Sequence, residues 1–128
     1  MKSAVPRILV IDDDSDIREV VGEALQFAGY EVTTARDGRE GLIQARSFRP
    51  TLILLDLMMP GMSGWAFRAA QLRDAALAAI PVVVVTALGT DPDIQVEAVL
   101  AKPFRLEDLL VRVRGFAGAP VPPPDACH

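Results

Sequence analysis

The sequence predicts an α/β fold: a three-layer, doubly wound sandwich with a five-stranded parallel sheet between two helical layers. Three observations carry this. Short continuous apolar runs, the plainest being Leu52-Ile-Leu-Leu55 and Val82-Val-Val-Val85, suit strands buried on both faces. Between such runs lie stretches with apolar residues at helical spacing, so strands and helices alternate as in βαβ units. The length of 128 residues, 51% of them hydrophobic, fits one domain with a real core, and with only 5% aromatic residues that core must be mainly Val, Leu, Ile and Ala. Right-handed crossovers then point all strands the same way and gather their carboxyl ends on one edge.

Taken in order, Arg7-Ile-Leu-Val-Ile is the first strand, running into Asp12, Asp13 and Asp14. A helix begins near Ser15 or Asp16, with Asp16 and Glu19 spaced as an N-terminal cap. Its apolar positions are Ile17, Val20, Val21, Ala24, Leu25 and Ala28, and Gly29 suits its end. Tyr30 to Ala35 alternates as a second strand. Asp37 caps a second helix to about Ser47, offering Leu42, Ile43 and Ala45 to the core. Pro50 precedes the third strand, Leu52 to Asp56, and Pro60-Gly61 turns the chain away. Ser63 caps a third helix, Gly64 to about Asp74. The fourth strand is Val82 to Val85, ending at Thr86; residues 88–95 read as loop or a single turn; a short strand, Ala98 to Ala101, ends at Lys102-Pro103. The last helix spans about Leu106 to Phe116, with Leu106, Leu109, Leu110 and Val113 apolar. The expected organisation is an N-terminal extension (1–6), one folded domain (7–117) and a proline-rich, disordered tail (118–128).

A net charge of −4 argues against non-specific nucleic-acid binding. The most apolar stretch, Ala75 to Leu88, is interrupted by Pro81 and falls short of the roughly 20 residues a membrane span needs. The single Cys127 has no internal disulfide partner, which fits a cytoplasmic protein, and Cys127 with His128 is too small a ligand set for zinc.

The predicted edge collects Asp12, Asp13, Asp56, Thr86 and Lys102 at the ends of strands one, three, four and five. Open α/β sheets bind ligands at such ends. Carboxylates crowded to ~5 Å at an effective dielectric of ~20 repel by roughly 3 kcal/mol per pair, so protons or a cation must neutralise them. A hard ion held by oxygens, Mg²⁺, suits such a site and also bridges phosphoryl oxygens. A carboxylate nucleophile with a metal, a lysine and a hydroxyl around it composes a phosphoryl-transfer site, with Asp56 forming the aspartyl phosphate.

Four segments carry a resemblance: Ile8-Leu-Val-Ile-Asp-Asp13, Asp56-Leu-Met-Met-Pro-Gly61, Thr86-Ala87 and Lys102-Pro103-Phe104. In this order, each at a strand end, they resemble the receiver (response regulator) domain of two-component signalling, over residues ~7–116. The resemblance implies the flavodoxin-like strand order 2-1-3-4-5. It implies that Asp56 accepts a phosphoryl group from a histidine kinase or phosphotransfer protein. Asp12 and Asp13 would organise Mg²⁺, Asp13 as the more direct ligand, with Asp56 and the backbone carbonyl of Met58 completing the ligand set. Thr86 would hydrogen-bond the phosphoryl group and Lys102 would pair with it. The chain would then be a switch that catalyses only its own phosphorylation and dephosphorylation. As a single-domain receiver or an excised one, it would act on an effector protein, with no direct nucleic-acid contact and no membrane insertion.

Three departures set this chain apart from the family pattern. Thr86 and Lys102 are only 16 positions apart, and Gly89 and Pro92 disfavour helix between them, so the family's fourth helix is expected to be one turn or absent. The position three before the lysine, commonly an aromatic switch residue, is Val99; activation is therefore expected to shift the loop from Ala87 to Val96. The positions two beyond Asp56 and two beyond Thr86 are the apolar Met58 and Leu88, which predicts a long-lived phosphoryl form. Two alternatives use the same residues differently. A haloacid-dehalogenase-like phosphotransferase would take Asp12 as nucleophile in its Asp12-Asp-Asp14 run, and a degenerate pseudo-receiver would bind partners without phosphate. A nucleotide- or flavin-binding protein would need a glycine-rich loop where the three acids stand. Met58, Met59 and Met62 read as loop packing, and Trp65 as filler.

Overall fold

Each strand end sits where the register of its neighbours puts it. In the computed structural model, which describes residues 5–89 and 92–120, the chain forms β1 (Arg7–Ile11), α1 (Ser15–Phe27), β2 (Glu31–Ala35), α2 (Gly38–Phe48), β3 (Leu52–Leu55), α3 (Gly64–Leu72), β4 (Val82–Thr86), β5 (Ala98–Ala101) and α4 (Leu106–Ala117). The five strands are parallel and ordered β2-β1-β3-β4-β5, the flavodoxin-like order.

The apolar runs divide by parity. Leu9, Ile11, Ile53, Leu55, Val82 and Val84 face one core with Leu42, Ala45 and Phe67 of α2 and α3. Ile8, Val10, Leu52, Leu54, Val83 and Val85 face the other with Val21, Leu25, Leu109 and Val113 of α1 and α4. A strand lined on both sides needs no alternation, which is why these segments read as unbroken runs. Fully burying each such side chain contributes roughly 1.5–3 kcal/mol.

The caps largely follow the sequence. Asp37 accepts from Glu40 N–H and Ser63 from Ala66 N–H. The α1 cap is corrected by one turn corner: Asp14, not Asp16, accepts the N–H groups of Asp16 and Ile17, because the chain enters α1 at Ser15. Val20 and Ile43 are corrected as well; both are exposed, since each lies at the rim of its helix's apolar stripe. The third helix ends at Leu72. Beyond it Asp74 holds a turn through its side chain and carbonyl, and the buried amide of Gln71 donates to the carbonyls of Leu77 and Ile80.

Between β4 and β5, the described residues 87–89 and 92–97 form no helix. The family's fourth helix is missing there, as Gly89 and Pro92 suggest. At the other end, Gly118 follows α4 with its carbonyl accepting from the Tyr30 hydroxyl at 2.8 Å. Residues 121–128, with Cys127 and His128, lie outside the described residues, as does most of the expected N-terminal extension.

Candidate functional site

Strand register builds the site. Ile11 is paired with Leu55, so the next residues, Asp12 and Asp56, emerge side by side; Asp56 N–H donates to the Ile11 carbonyl at 2.9 Å. Thr86 is paired with Ala101, which brings Lys102 to the same edge, its N–H on the Thr86 carbonyl at 2.8 Å. Four short parallel strands thus deliver four of the five predicted side chains without any loop having to aim them. Asp13, in the turn before α1, supplies the fifth and is exposed.

Asp12, Asp56 and Thr86 are the buried polar residues of this edge, at 3%, 5% and 0% exposure. Asp12 is fully engaged. One carboxylate oxygen accepts from Asp14 N–H at 2.9 Å and the other pairs with the Lys102 ammonium at 2.8 Å. Asp56 is freer: its Oδ1 accepts a long 3.4 Å bond from Met58 N–H, and its Oδ2 lies 3.8 Å from Lys102 Nζ. Burial pushes the Asp56 carboxyl up to about 6, with the neighbouring Asp12 charge adding to the rise; Lys102 and the Met58 N–H pull it back in part, and Asp13 raises it further. Thr86 Oγ1 accepts from Leu88 N–H at 3.3 Å, which leaves its hydroxyl proton free to be donated elsewhere.

Asp12, Asp13 and Asp56 can each offer a carboxylate oxygen within 4.8 Å of the others. Three hard oxygen donors, one on a solvent-facing turn, match what Mg²⁺ requires: a few carboxylates and room for retained water. Met58 places its side chain in solvent while Met59 is buried, so the methionines do not compose a soft site.

Two supports escape a reading of the sequence alone. Arg18 Nη1 donates to the Asp12 backbone carbonyl at 2.7 Å and ties the acidic turn to α1. Gly64 opens α3 against the Asp56 backbone, where a Cβ would stand 2.5 Å from the Asp56 carbonyl oxygen. An arginine on an amphipathic helix and a glycine after a serine cap carry no distinctive signal. The Lys102–Pro103 peptide is cis.

A family profile for the response regulator receiver domain matches residues 8–114. This chain belongs to that family. As a receiver domain it is a phosphoacceptor signalling module of the two-component type, and such domains are signalling switches rather than turnover enzymes. Among similar proteins, the DNA-binding dual master transcriptional regulator RpaA of Synechocystis is 44% identical over 118 residues, covering 88% of this chain and 49% of the relative. The response regulator MprA of Mycolicibacterium vanbaalenii is 40% identical, covering 86% of this chain and 49% of its own length. The chain therefore spans about half the length of these curated relatives. Chemotaxis protein CheY4 of Vibrio cholerae superposes with a TM-score of 0.82 at 35% identity, covering 88% of this receiver and 99% of CheY4. A CheY-like receiver domain of Methanospirillum hungatei gives 0.78 at 29% identity, covering 88% and 94%. Among the described residues of this receiver, no helix is long and apolar enough to cross a membrane. The dehalogenase-like alternative is not favoured, since the matching family profile and the similar proteins are receiver domains and response regulators.

Proposed function

We propose that Asp56 is the phosphoacceptor of this receiver and that it holds Mg²⁺ together with Asp12, Asp13 and the Met58 backbone carbonyl. The supporting observation is the contrast within the acidic pair: Asp12 is committed to Lys102 and to Asp14, whereas Asp56 keeps one oxygen weakly bonded. The bound ion supplies charge neutralisation to the transferring phosphoryl oxygens. The remaining work belongs to the chain. An Asp56 oxygen attacks the phosphorus of a phosphohistidine on a histidine kinase or phosphotransfer protein; the new O–P bond forms as the P–N bond breaks, and the imidazole leaves. With its carboxyl pushed up to about 6, Asp56 is still mostly ionised at pH 7 and can act as nucleophile. Lys102 is placed to share its charge between Asp12 and the incoming phosphoryl group, and Thr86 to donate its hydroxyl proton to it.

On this reading the domain catalyses its own phosphorylation and dephosphorylation at one residue. It passes the change to an effector protein; a net charge of −4 does not favour direct nucleic-acid contact by this segment. The domain comprises residues 7–117. The experiment is incubation with Mg²⁺ and a small phosphodonor, read by intact mass. The wild type gains one phosphoryl group and Asp56→Ala does not; a gain retained in Asp56→Ala and lost in Asp12→Asn would overturn the assignment.

A further inference from the structure

Where the family's fourth helix is missing, residues 92–97 form an irregular strap against α3. Two side chains of α3 grip its backbone. Trp65 Nε1 donates to the Asp93 carbonyl and Arg68 Nε to the Gln95 carbonyl, both at 3.1 Å. Arg68 is itself fixed, since its Nη1 donates at 2.9 Å to the amide oxygen of the buried Gln71. Ile94 and Val96 pack on the α2/α3 core beside Trp65 and Val99, the position of the family's aromatic switch. The far end of the strap is tied to the start of β4, where Glu97 Oε1 accepts from Val82 N–H at 2.7 Å. Its near end is four positions from Leu88, whose N–H is on Thr86 Oγ1.

We propose that Trp65 and Arg68 are positioning residues for the phosphoryl site: by clamping the 92–97 strap to α3 they hold the Thr86–Leu88 corner in its resting arrangement. The inference rests on Asp56 as phosphoacceptor. The arrangement is a resting one because Lys102 is paired with Asp12 and Thr86 with its own loop, so neither is yet committed to a group on Asp56. Loading Asp56 draws Thr86 and Lys102 toward the phosphoryl oxygens. On this proposal the corner, as it follows, strains the strap's two bonds to α3. Bonds made in one state alone bias the equilibrium toward it.

The test uses Mg²⁺ with beryllofluoride as the phosphoryl mimic. Trp65 is the sole tryptophan, so its emission reports the clamp directly in the wild type and in Arg68 variants. Beryllofluoride shifts wild-type Trp65 emission as the indole N–H leaves Asp93. Trp65→Phe binds beryllofluoride about fivefold more tightly, the ratio supplied by one neutral hydrogen bond present in only one state, and Arg68→Ala, which removes a bond from a charged donor, about tenfold or more. Arg68→Lys, which keeps the charge and one donor, falls between Arg68→Ala and wild type. Affinity for Mg²⁺ alone stays unchanged in all three. A merely structural role lowers the melting temperature and leaves beryllofluoride affinity at the wild-type value, which overturns the proposal. So does emission that ignores beryllofluoride in a wild type that binds it. A wild type that binds no beryllofluoride, or an Asp56→Ala that still binds it, overturns the acceptor assignment and the clamp with it.

Discussion

Asp56 is held in the folded protein at some cost, and that cost is measurable. Burial pushes its carboxyl up to about 6 from an ordinary value of 3.8, so between these limits the folded state binds more protons than the unfolded one. Stability therefore falls as pH rises through that window. Asp56→Asn removes the penalty. In chelator at pH 7 the variant should be more stable than wild type by about 1–3 kcal/mol in urea unfolding, and the gain should shrink toward zero near pH 4, where the wild-type carboxyl is protonated. A gain independent of pH would mean that packing, not charge, is responsible. Two positions past Asp56, Met58 is exposed, as is Leu88 two past Thr86. Replacing the apolar side chain by an amide in Met58→Asn offers a partner to an attacking water, and hydrolysis of the phosphoryl form should quicken several-fold, read as the decay of phosphorylated protein by intact mass.

Among the elements, β3 and α3 do most to place Asp56. β3 is legible in the sequence because it is lined on both sides. The helix contribution is not, because it depends on an absence: Gly64 lets α3 start against the Asp56–Leu57 backbone. Gly64→Ala would bring a methyl group to 2.5 Å from the Asp56 carbonyl oxygen and 2.7 Å from Leu57 Cα, atoms that cannot swing away. Overpacking of this kind costs about 1–3 kcal/mol, so the urea midpoint should drop and phosphorylation should slow as Asp56 shifts. Gly61, by contrast, has φ +76 and open space, and a side chain there is strained for conformational reasons instead. The connection from β4 to β5 could be read as lacking its helix from Gly89, Pro92 and the short spacing. That Trp65 and Arg68 grip what replaces it could not, because both bonds end on backbone carbonyls, which every residue has.

At the scale of the molecule, the sheet edge is one electrostatic unit. Three carboxylates face one ammonium among the described site residues. A divalent cation bound there binds the folded state and not the unfolded chain, so Mg²⁺ at a hundredfold excess over its Kd should add about 2.7 kcal/mol of stability. Asp13→Asn, which removes the exposed carboxylate of the proposed site without touching the core, should lose most of that gain while keeping its stability in chelator. An equal Mg²⁺ response in Asp13→Asn would remove Asp13 from the ligand set.

The sequence by itself determined the strand–helix alternation, the two-sided burial of the sheet and the arrival of Asp12, Asp56, Thr86 and Lys102 at one sheet edge. Hydrophobic runs, caps and turn residues are local signals, and a parallel sheet turns strand ends into neighbours. Only the tertiary structure decided which oxygens are free. Asp12 and Asp56 are the same residue type at equivalent strand ends, and residue type alone does not say which of them is more tightly bonded. Lys102, arriving from β5, and Asp14, folding back in the turn, both bond Asp12, while Lys102 stops 3.8 Å from Asp56. That asymmetry arises from the register of β1, β3, β4 and β5 and the fall of one turn, and no local pattern encodes it.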